Sequence, residues 1–187
     1  MNKRGSKFYW ISVILLIILV VIIFFYFVLF NPHNKFYSEE VKSGRLINPA
    51  SNLSIEQGVK EFDESYVFYL LYSIGAYNLH NPPLSYDKPR IEIDTEDKIY
   101  NAVIEGGKIN VFLGEIDDED IRIKTTKEEL VLVLKNKDYF KESFSSGKSS
   151  MDLVADKTKL FSKGYLNLYK ELTGKSVTGS VIRIYTS

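Results

Sequence analysis

The stretch DIRIKTTKEELVLVLK, residues 120–135, places two hydrophobic periods side by side. In its first part apolar and charged residues alternate, so Ile121 and Ile123 would face one side of a β-strand and the charged residues the other. Thr126 and Glu129 have the spacing of a capping box, which satisfies the free N–H groups at a helix start. The run LVLVL that follows could be mistaken for a strand, but the cap favours a helix. The stretch therefore predicts a strand followed directly by a helix.

Three more runs with a period of two precede this stretch, at residues 90–94, 98–104 and 108–113. Glu-Gly-Gly at 105–107 suits a tight turn between the second run and the third. Together with the strand at 120–124, these runs predict an antiparallel meander with one buried face.

A long helix is predicted before the strands. Ser54 and Gln57 form a second capping box, and apolar residues then recur at the helical period as far as residue 79. In its second half, YVFYLLYSIGAYNL at 66–79, the apolar character extends almost all round the helix. The sequence Asn-Pro-Pro at 81–83 ends it. A helix this apolar needs a cover on two sides.

The remaining elements lie near the C-terminus. Residues 151–155 and 180–185 are predicted strands, and residues 160–172 carry an apolar stripe of helical period that ends at Gly174. Helices around an antiparallel sheet make an α+β fold, with one sheet face covered by helices. We assign residues 54–187 to this single domain.

The N-terminal part predicts a membrane anchor. Residues 10–30, WISVILLIILVVIIFFYFVLF, contain no charge, and as a helix they would span about 32 Å, the thickness of a bilayer core. A cleaved signal peptide would have a shorter apolar core and a small-residue cleavage site. The sequence therefore predicts an uncleaved, single-pass transmembrane helix.

The charges beside this span predict its orientation. Residues 1–9 contain Lys3, Arg4 and Lys7 and no acidic residue, which favours a cytoplasmic tail. Residues 31–53 are mixed and polar and read as a stalk. We expect a cell-membrane protein whose C-terminal domain is extracytoplasmic.

Composition excludes several functional classes. The chain has no cysteine, so disulfides and thiolate chemistry are absent. Its 24 basic and 24 acidic residues balance, and no basic stripe favours a nucleic-acid partner. SSGKSS at 145–150 and TGKS at 173–176 lack the first glycine of a phosphate-binding loop.

Neither metal chemistry nor hydrolysis has a recognisable motif. His33 and His80 are isolated from each other, so a zinc site is not predicted. The acidic run at 117–120 lacks the spacing of a calcium loop and is interpreted as a solvated turn. No Gly-x-Ser-x-Gly elbow is present. We predict no catalytic residues, no metal and no cofactor, and therefore no enzyme.

The order of a long helix, a meander and the segment that continues from residue 120 resembles the sterol carrier protein lipid-binding family. In that family an acidic residue opens an alternating strand, Thr or Ser and an acidic pair follow, and a helix leads to an aromatic-x-x-Gly-basic element. The matching positions are Asp120, Thr125, Thr126, Glu128, Glu129, Phe144, Gly147 and Lys148. The match covers residues 55–156 loosely, and Ser149 and Ser150 depart from the apolar strand that often follows.

The resemblance implies a sheet whose helices enclose an apolar tunnel. Together with the predicted anchor at residues 10–30, it leads us to expect a membrane-tethered domain that carries or presents lipid. The aromatic and aliphatic residues nominated to line it are Phe62, Tyr66, Tyr69, Leu70, Leu130, Leu134, Phe140 and Phe144. Each of them can also be an ordinary core residue. The alternative is a bitopic scaffold or assembly protein whose apolar surplus binds a protein partner or a second copy.

Overall fold

The computed structural model describes residues 15–21 and 46–174. Residues 15–21 are helical and exposed, and they belong to the predicted span at 10–30. Within the described ranges, no helix has the length and apolar character needed to cross a bilayer. The rest of the predicted span, the tail at 1–9, most of the stalk and the predicted strand at 180–185 lie outside the described residues.

A five-stranded sheet forms the centre of the described domain, in the order β3-β2-β1-β4-β5. Its strands are β1 (Arg90–Asp94), β2 (Ile99–Glu105), β3 (Lys108–Leu113), β4 (Ile121–Lys124) and β5 (Ser150–Leu153). All four alternating runs are therefore strands, as predicted, and so is most of 151–155. The mixed α+β class is confirmed.

The predicted all-antiparallel meander is wrong at β4. The first three strands pair antiparallel, but β4 lies parallel to β1, with Ile91 opposite Ile121 and Ile93 opposite Ile123. The connection from β3 crosses the sheet. A hydrogen bond on the way shows this, in which the Ile116 N–H donates to Oε2 of Glu92 on β1 at 3.3 Å. The chain then starts β4 beside the start of β1. A crossover of this kind returns the strand in the same direction as its neighbour.

The long helix predicted over 54–79 is interrupted. The Ser54 capping box is confirmed, but the helix it opens ends after two turns. Asp63 then caps a second helix by accepting from the Ser65 N–H at 2.9 Å, and Gly75, at φ 80°, starts a 3₁₀ turn. The elements are α1 (Ile55–Lys60), α2 (Glu64–Ser73) and the 3₁₀ turn Ala76–Asn78.

Four further helices follow within the described residues, and the cap at Thr126 is confirmed. Its side chain accepts from the Glu129 N–H at 3.2 Å, so LVLVL is helical. The helix predicted over 160–172 is in two parts, because Gly164 at φ 87° separates them; Gly174 ends the second, as predicted. The elements are α3 (Lys127–Lys135), α4 (Tyr139–Ser145), α5 (Lys157–Ser162) and α6 (Tyr165–Thr173).

The hydrophobic core covers the apolar second half of the first predicted helix. In α2, Val67, Leu70 and Leu71 are buried in one cluster with the inward residues of β1, β2 and β4. Helix α2 lies against β3 and also contacts α3. The sheet and helix α3 together therefore bury it.

Candidate functional site

A crevice of about 260 Å³ lies between α4, the start of β5 and α6. Three large apolar or aromatic side chains line it, from three different elements: Phe144 of α4, Met151 of β5 and Tyr169 of α6. All three are half-buried. The remaining lining residues are small or hydroxylated: Ser145, Gly147, Ser149, Ser150 and Thr173. We call this site the α4–α6 crevice.

The apolar wall of the crevice continues into the core. Phe140 and Phe144 lie four residues apart on α4, and residues with this spacing share one helix face. Their rings stack with centroids 5.9 Å apart, and Phe140 is buried while Phe144 reaches the crevice. Met151 stands opposite Ile123 of β4, whose side chain is buried in the core. A ligand in the crevice would contact the edge of the hydrophobic core.

One member of a row of buried hydroxyl groups lines the crevice. Thr125 Oγ1 lies 2.7 Å from Ser149 Oγ, and Ser149 Oγ lies 2.8 Å from Ser143 Oγ. The Ser143 hydroxyl donates to Glu129 Oε2 at 2.7 Å. All four side chains belong to buried residues, and Ser149 also lines the crevice. We call Thr125, Ser149, Ser143 and Glu129 the hydroxyl row.

Glu129 receives two further contacts on its other carboxylate oxygen. The Tyr139 hydroxyl donates to Oε1 at 3.3 Å, and the Lys148 ammonium lies 3.5 Å from the same atom. Its hydrogen bond to Tyr139 and its attraction to Glu129 raise the pKa of Lys148. Polar groups therefore surround Glu129, so its burial is compensated. The sequence predicted Glu129 only as the partner of a cap.

A second buried polar group is centred on Asp120. The Lys163 ammonium lies 2.9 Å from both carboxylate oxygens, and neither residue is exposed. The Tyr165 hydroxyl donates to Asp120 Oδ2 at 3.0 Å, and Lys159 lies 3.2 Å from Oδ1. Asp87 contacts both lysines, at 2.9 and 3.1 Å. We call these five residues the Asp120 cluster.

The Asp120 cluster corrects the interpretation of the acidic run as a solvated turn. Asp117 and Asp118 are exposed as predicted, but Asp120 is fully buried. Burial, together with the nearby Asp120, raises the pKa of Tyr165 well above its usual value. Burial lowers the pKa of Lys159, but its hydrogen bonds to Asp87 and Asp120 outweigh this and the net direction is upward. The cluster fastens α5 and α6 to the start of β4.

A second cavity, of about 500 Å³, lies on the other side of α6. Asn167, Leu168 and Glu171 of α6 line one wall, and the segment from Ser73 to His80 lines another. Most of its side chains are polar, and several are exposed. Its lining is more polar than that of the α4–α6 crevice.

The structure places most of the residues nominated as tunnel lining in the hydrophobic core. Six of them, Phe62, Tyr66, Leu70, Leu130, Leu134 and Phe140, are buried in the core, while Tyr69 and Phe144 are half-buried. Phe144 lines the α4–α6 crevice, and the other seven line neither of the two cavities described above. Whether they line a tunnel stays a prediction.

Sequence reasoning missed three residues that build the crevice. Tyr169 was assigned to a helical stripe and Met151 to a strand, and Ser149 was seen only as a departure from the family pattern. The aromatic-x-x-Gly-basic element was a usable signal, because Phe144 and Gly147 both line the crevice.

Metal chemistry has no support in the ranges 15–21 and 46–174. Within them, no group of three or more His, Asp or Glu side chains is placed to hold a metal ion. His80 is exposed there, and its Nδ1 lies 3.0 Å from the Asn81 carbonyl oxygen. His33 lies outside the described residues.

No family model and no curated protein matches the sequence. Among solved structures, the chain is similar to a UbiJ-SCP2 ubiquinone synthesis protein, with 10% identity, a TM-score of 0.34, and coverage of 59% of this chain and 81% of that one. It is also similar to sterol carrier protein 2 like 2 from Aedes aegypti, with 15% identity, a TM-score of 0.33, and coverage of 59% of this chain and 99% of that one.

A third similar structure is a double mutant of the sec-alkyl sulfatase PisA1, with 18% identity and a TM-score of 0.35. The alignment covers 48% of this chain and 13% of the sulfatase, so the chain matches a small part of that enzyme. These TM-scores lie below 0.5, so we base the functional proposal on the residues of this chain alone.

Proposed function

We propose that the domain binds a lipid or another apolar small molecule in the α4–α6 crevice and catalyses no reaction. The observation that carries this proposal is the convergence of Phe144, Met151 and Tyr169 on one crevice from three separate elements. Each Å² of apolar surface that leaves water contributes about 25 cal/mol to binding. Polar groups at one side, as in Ser149, are typical of a small-molecule site that orients its ligand.

The crevice is the proposed mouth of the apolar tunnel. Phe144 stacks on Phe140, so a ligand chain that displaces the Phe144 ring would next meet Phe140. Leu130 and Leu134 of α3 belong to the same hydrophobic cluster as Phe140. The tunnel would thus open from the crevice toward residues nominated from the sequence.

The uncharged segment at 10–30 supports a membrane tether. With the basic tail at 1–9 in the cytoplasm, the domain would lie on the extracytoplasmic side of the cell membrane. There it would receive or present lipid taken from the bilayer.

Photo-crosslinking tests this proposal on the full chain reconstituted in vesicles. A lipid with a diazirine in its acyl chain should label peptides that contain residues 144–151 and 169–173. Met151→Asp places a charge in the apolar wall, which should reduce labelling at least about tenfold. Phe161→Asp is the matched control, because Phe161 is exposed on α5 and does not line the crevice.

Labelling spread over the transmembrane segment alone, or equal labelling of both variants, would contradict binding in the crevice. Labelling of the crevice peptides that is lost only in Met151→Asp would support it.

A second candidate function is self-association or partner binding through β3. This strand is an edge of the described sheet, and Phe112 and Leu113 near its end are more than half exposed. Exposed apolar residues on an edge strand favour pairing with another chain. If sedimentation shows a dimer of the full chain that Phe112→Asp dissociates, the scaffold reading gains support.

A further inference from the structure

We infer that the loop at residues 80–88 docks the domain on the surface of the bilayer, with Leu84 and Tyr86 inserted at the level of the lipid headgroups. We call this segment the Pro-Pro loop, after Pro82 and Pro83. The inference rests on the membrane tether of the proposed function, and it names a second contact with the bilayer.

The Pro-Pro loop presents two large apolar side chains to solvent. Leu84 is fully exposed and Tyr86 is 96% exposed, and no other large apolar side chain in residues 15–21 and 46–174 is as exposed as these. Single exposed apolar residues are common, but two within three residues form a more selective feature. Leucine is apolar throughout, and tyrosine, with an apolar ring and a polar hydroxyl, is enriched at membrane interfaces. The pair therefore has the chemistry of an interfacial contact.

Lys163 fixes both ends of the loop. Its carbonyl oxygen accepts from the His80 N–H at 3.2 Å. Its ammonium lies 2.9 Å from Asp87 Oδ1 and donates to the Lys88 carbonyl oxygen at 2.9 Å. Because Lys163 is itself buried and paired with Asp120, the loop is fastened to the Asp120 cluster.

The tip of the loop is constrained as well. Pro82 and Pro83 have fixed φ angles, and the Ser85 N–H donates to the Pro82 carbonyl oxygen at 3.1 Å. Leu84 has φ 61°, in the left-handed region that a leucine adopts only at a cost in free energy. Its side chain gains no burial within the domain in return. A constrained loop of this kind loses little conformational freedom when it binds a surface.

The position of the predicted anchor favours the bilayer as that surface. Asn48 donates to the Leu134 carbonyl oxygen at 2.6 Å, so the chain enters the domain beside the end of α3. Lys137, three residues further on, lines one cavity together with His80, where the Pro-Pro loop begins. The 15 residues at 31–45 can span at most about 55 Å between the predicted anchor and the domain. The anchor would therefore keep the loop at a high effective concentration beside the bilayer.

The charges near the loop are matched by ion pairs. Lys88 pairs with Glu105 at 2.8 Å, and Arg90 lies 3.9 Å from Asp118. Recruitment by anionic lipids depends on clusters of basic residues, which these pairs do not provide. Docking should therefore occur on uncharged phosphatidylcholine bilayers and change little when anionic lipid is added.

Fluorescence quenching tests the inference on the full chain in phosphatidylcholine vesicles. The chain has no cysteine, so Leu84→Cys supplies a single position for a nitrobenzoxadiazole label. Lys98→Cys is the matched control, since Lys98 is exposed in the connection at the other end of β1. Nitroxide lipids should quench the label several-fold more strongly at position 84 than at position 98. The same label at both positions separates a property of the loop from a property of the label.

Tyr86 provides a second variant at an exposed position, where a substitution leaves the core intact. Tyr86→Asp in the labelled Leu84→Cys chain should reduce the quenching to the level of the Lys98→Cys control, because insertion would carry a charge into the interface. Tyr86→Trp should retain the quenching, since tryptophan occupies the same interfacial level.

The outcomes separate the docking contact from the tether. Equal quenching at both positions, in a chain that floats with the vesicles, would overturn docking and leave the tether intact. Quenching that persists in Tyr86→Asp would also overturn it. A spectral shift that grows with protein density and is insensitive to nitroxide lipids would identify a second copy at the loop instead. A chain that does not float with the vesicles would overturn the tether and the docking contact together.

Discussion

Asp120 and Glu129 are both buried carboxylates, but their surroundings differ. Asp120 is enclosed by two ammonium groups, Lys159 and Lys163, and by the Tyr165 hydroxyl. Glu129 receives mainly hydroxyl groups, with one exposed lysine at 3.5 Å. Cations beside a buried carboxylate neutralise its charge directly. Hydroxyl groups beside a buried carboxylate are polarised by it, and each hydroxyl in turn polarises the next one along the row.

The difference separates a structural group from a candidate binding group. The contacts of the Asp120 cluster join elements of the fold to one another: Arg90 at the start of β1, Asp120 before β4, and Lys163 between α5 and α6. The hydroxyl row also joins elements, but at Ser149 it reaches the α4–α6 crevice. The first group should therefore control stability, and the second should control stability and also affect binding in the crevice.

The largest effect is expected from Lys163→Met, which removes the best-placed cation of the Asp120 cluster. Removing one partner of a buried ion pair costs about 3–5 kcal/mol of unfolding free energy. Urea unfolding of the full chain, followed by circular dichroism, measures this cost. Lys88→Met is the matched control, since Lys88 and Glu105 form an exposed pair that contributes less than about 1 kcal/mol. An equal cost for both variants would show that the cluster does not hold α5 and α6.

An intermediate effect is expected from Ser143→Ala, which cuts the hydroxyl row in the middle. Glu129 Oε2 and Ser149 each lose a partner, and a buried polar group left unpaired costs about 1–3 kcal/mol. The same unfolding measurement applies. Ser145→Ala removes an exposed hydroxyl from the same helix and should stay within about 0.5 kcal/mol of the parent chain. No difference between the two serines would mean that the row is not a stabilising unit.

The two groups also show what the sequence can predict. Ser54 and Thr126 were recognised as helix caps because a cap involves neighbours three residues apart. The cap at Asp63, whose side chain accepts from the Ser65 N–H, was missed because the apolar period of the predicted long helix continues past this residue. Local signals of this kind are available from the sequence, provided that a cap is allowed to override an apolar period.

Long-range partners could not be predicted in the same way. Asp120 belongs to an acidic run whose composition is typical of a solvated turn. Lys163, the cation that pairs with it, lies 43 residues further along the chain. The pairing of β4 with β1 likewise depends on the crossing of the sheet by residues 114–119, which the period of two does not encode. The crevice was found only in part for the same reason, since Phe144, Met151 and Tyr169 come from three elements.

The smallest effect is expected from Asp87, at the half-buried rim of the Asp120 cluster. Burial raises the pKa of Asp87, but hydrogen bonds from Lys163 and Lys159 outweigh it, so the net pKa lies below its usual value. A lowered folded-state pKa stabilises the fold above about pH 4, and this stabilisation is lost as the pH falls through the folded value. Asp87→Asn should therefore lose at most about 1 kcal/mol at neutral pH and show a shallower loss of stability in acid.

A double-mutant cycle decides whether this acid sensitivity belongs to the cluster. Asp97 is a suitable comparison, because a hydrogen bond from Lys127 lowers its pKa as well and it lies outside the cluster. In the Lys163→Met background, Asp87→Asn should cost less than it does in the parent chain, while Asp97→Asn should cost the same in both. An unchanged cost for Asp87→Asn would mean that Lys159 alone holds this carboxylate. The buried charge of Asp120 would then be neutralised independently of the rim.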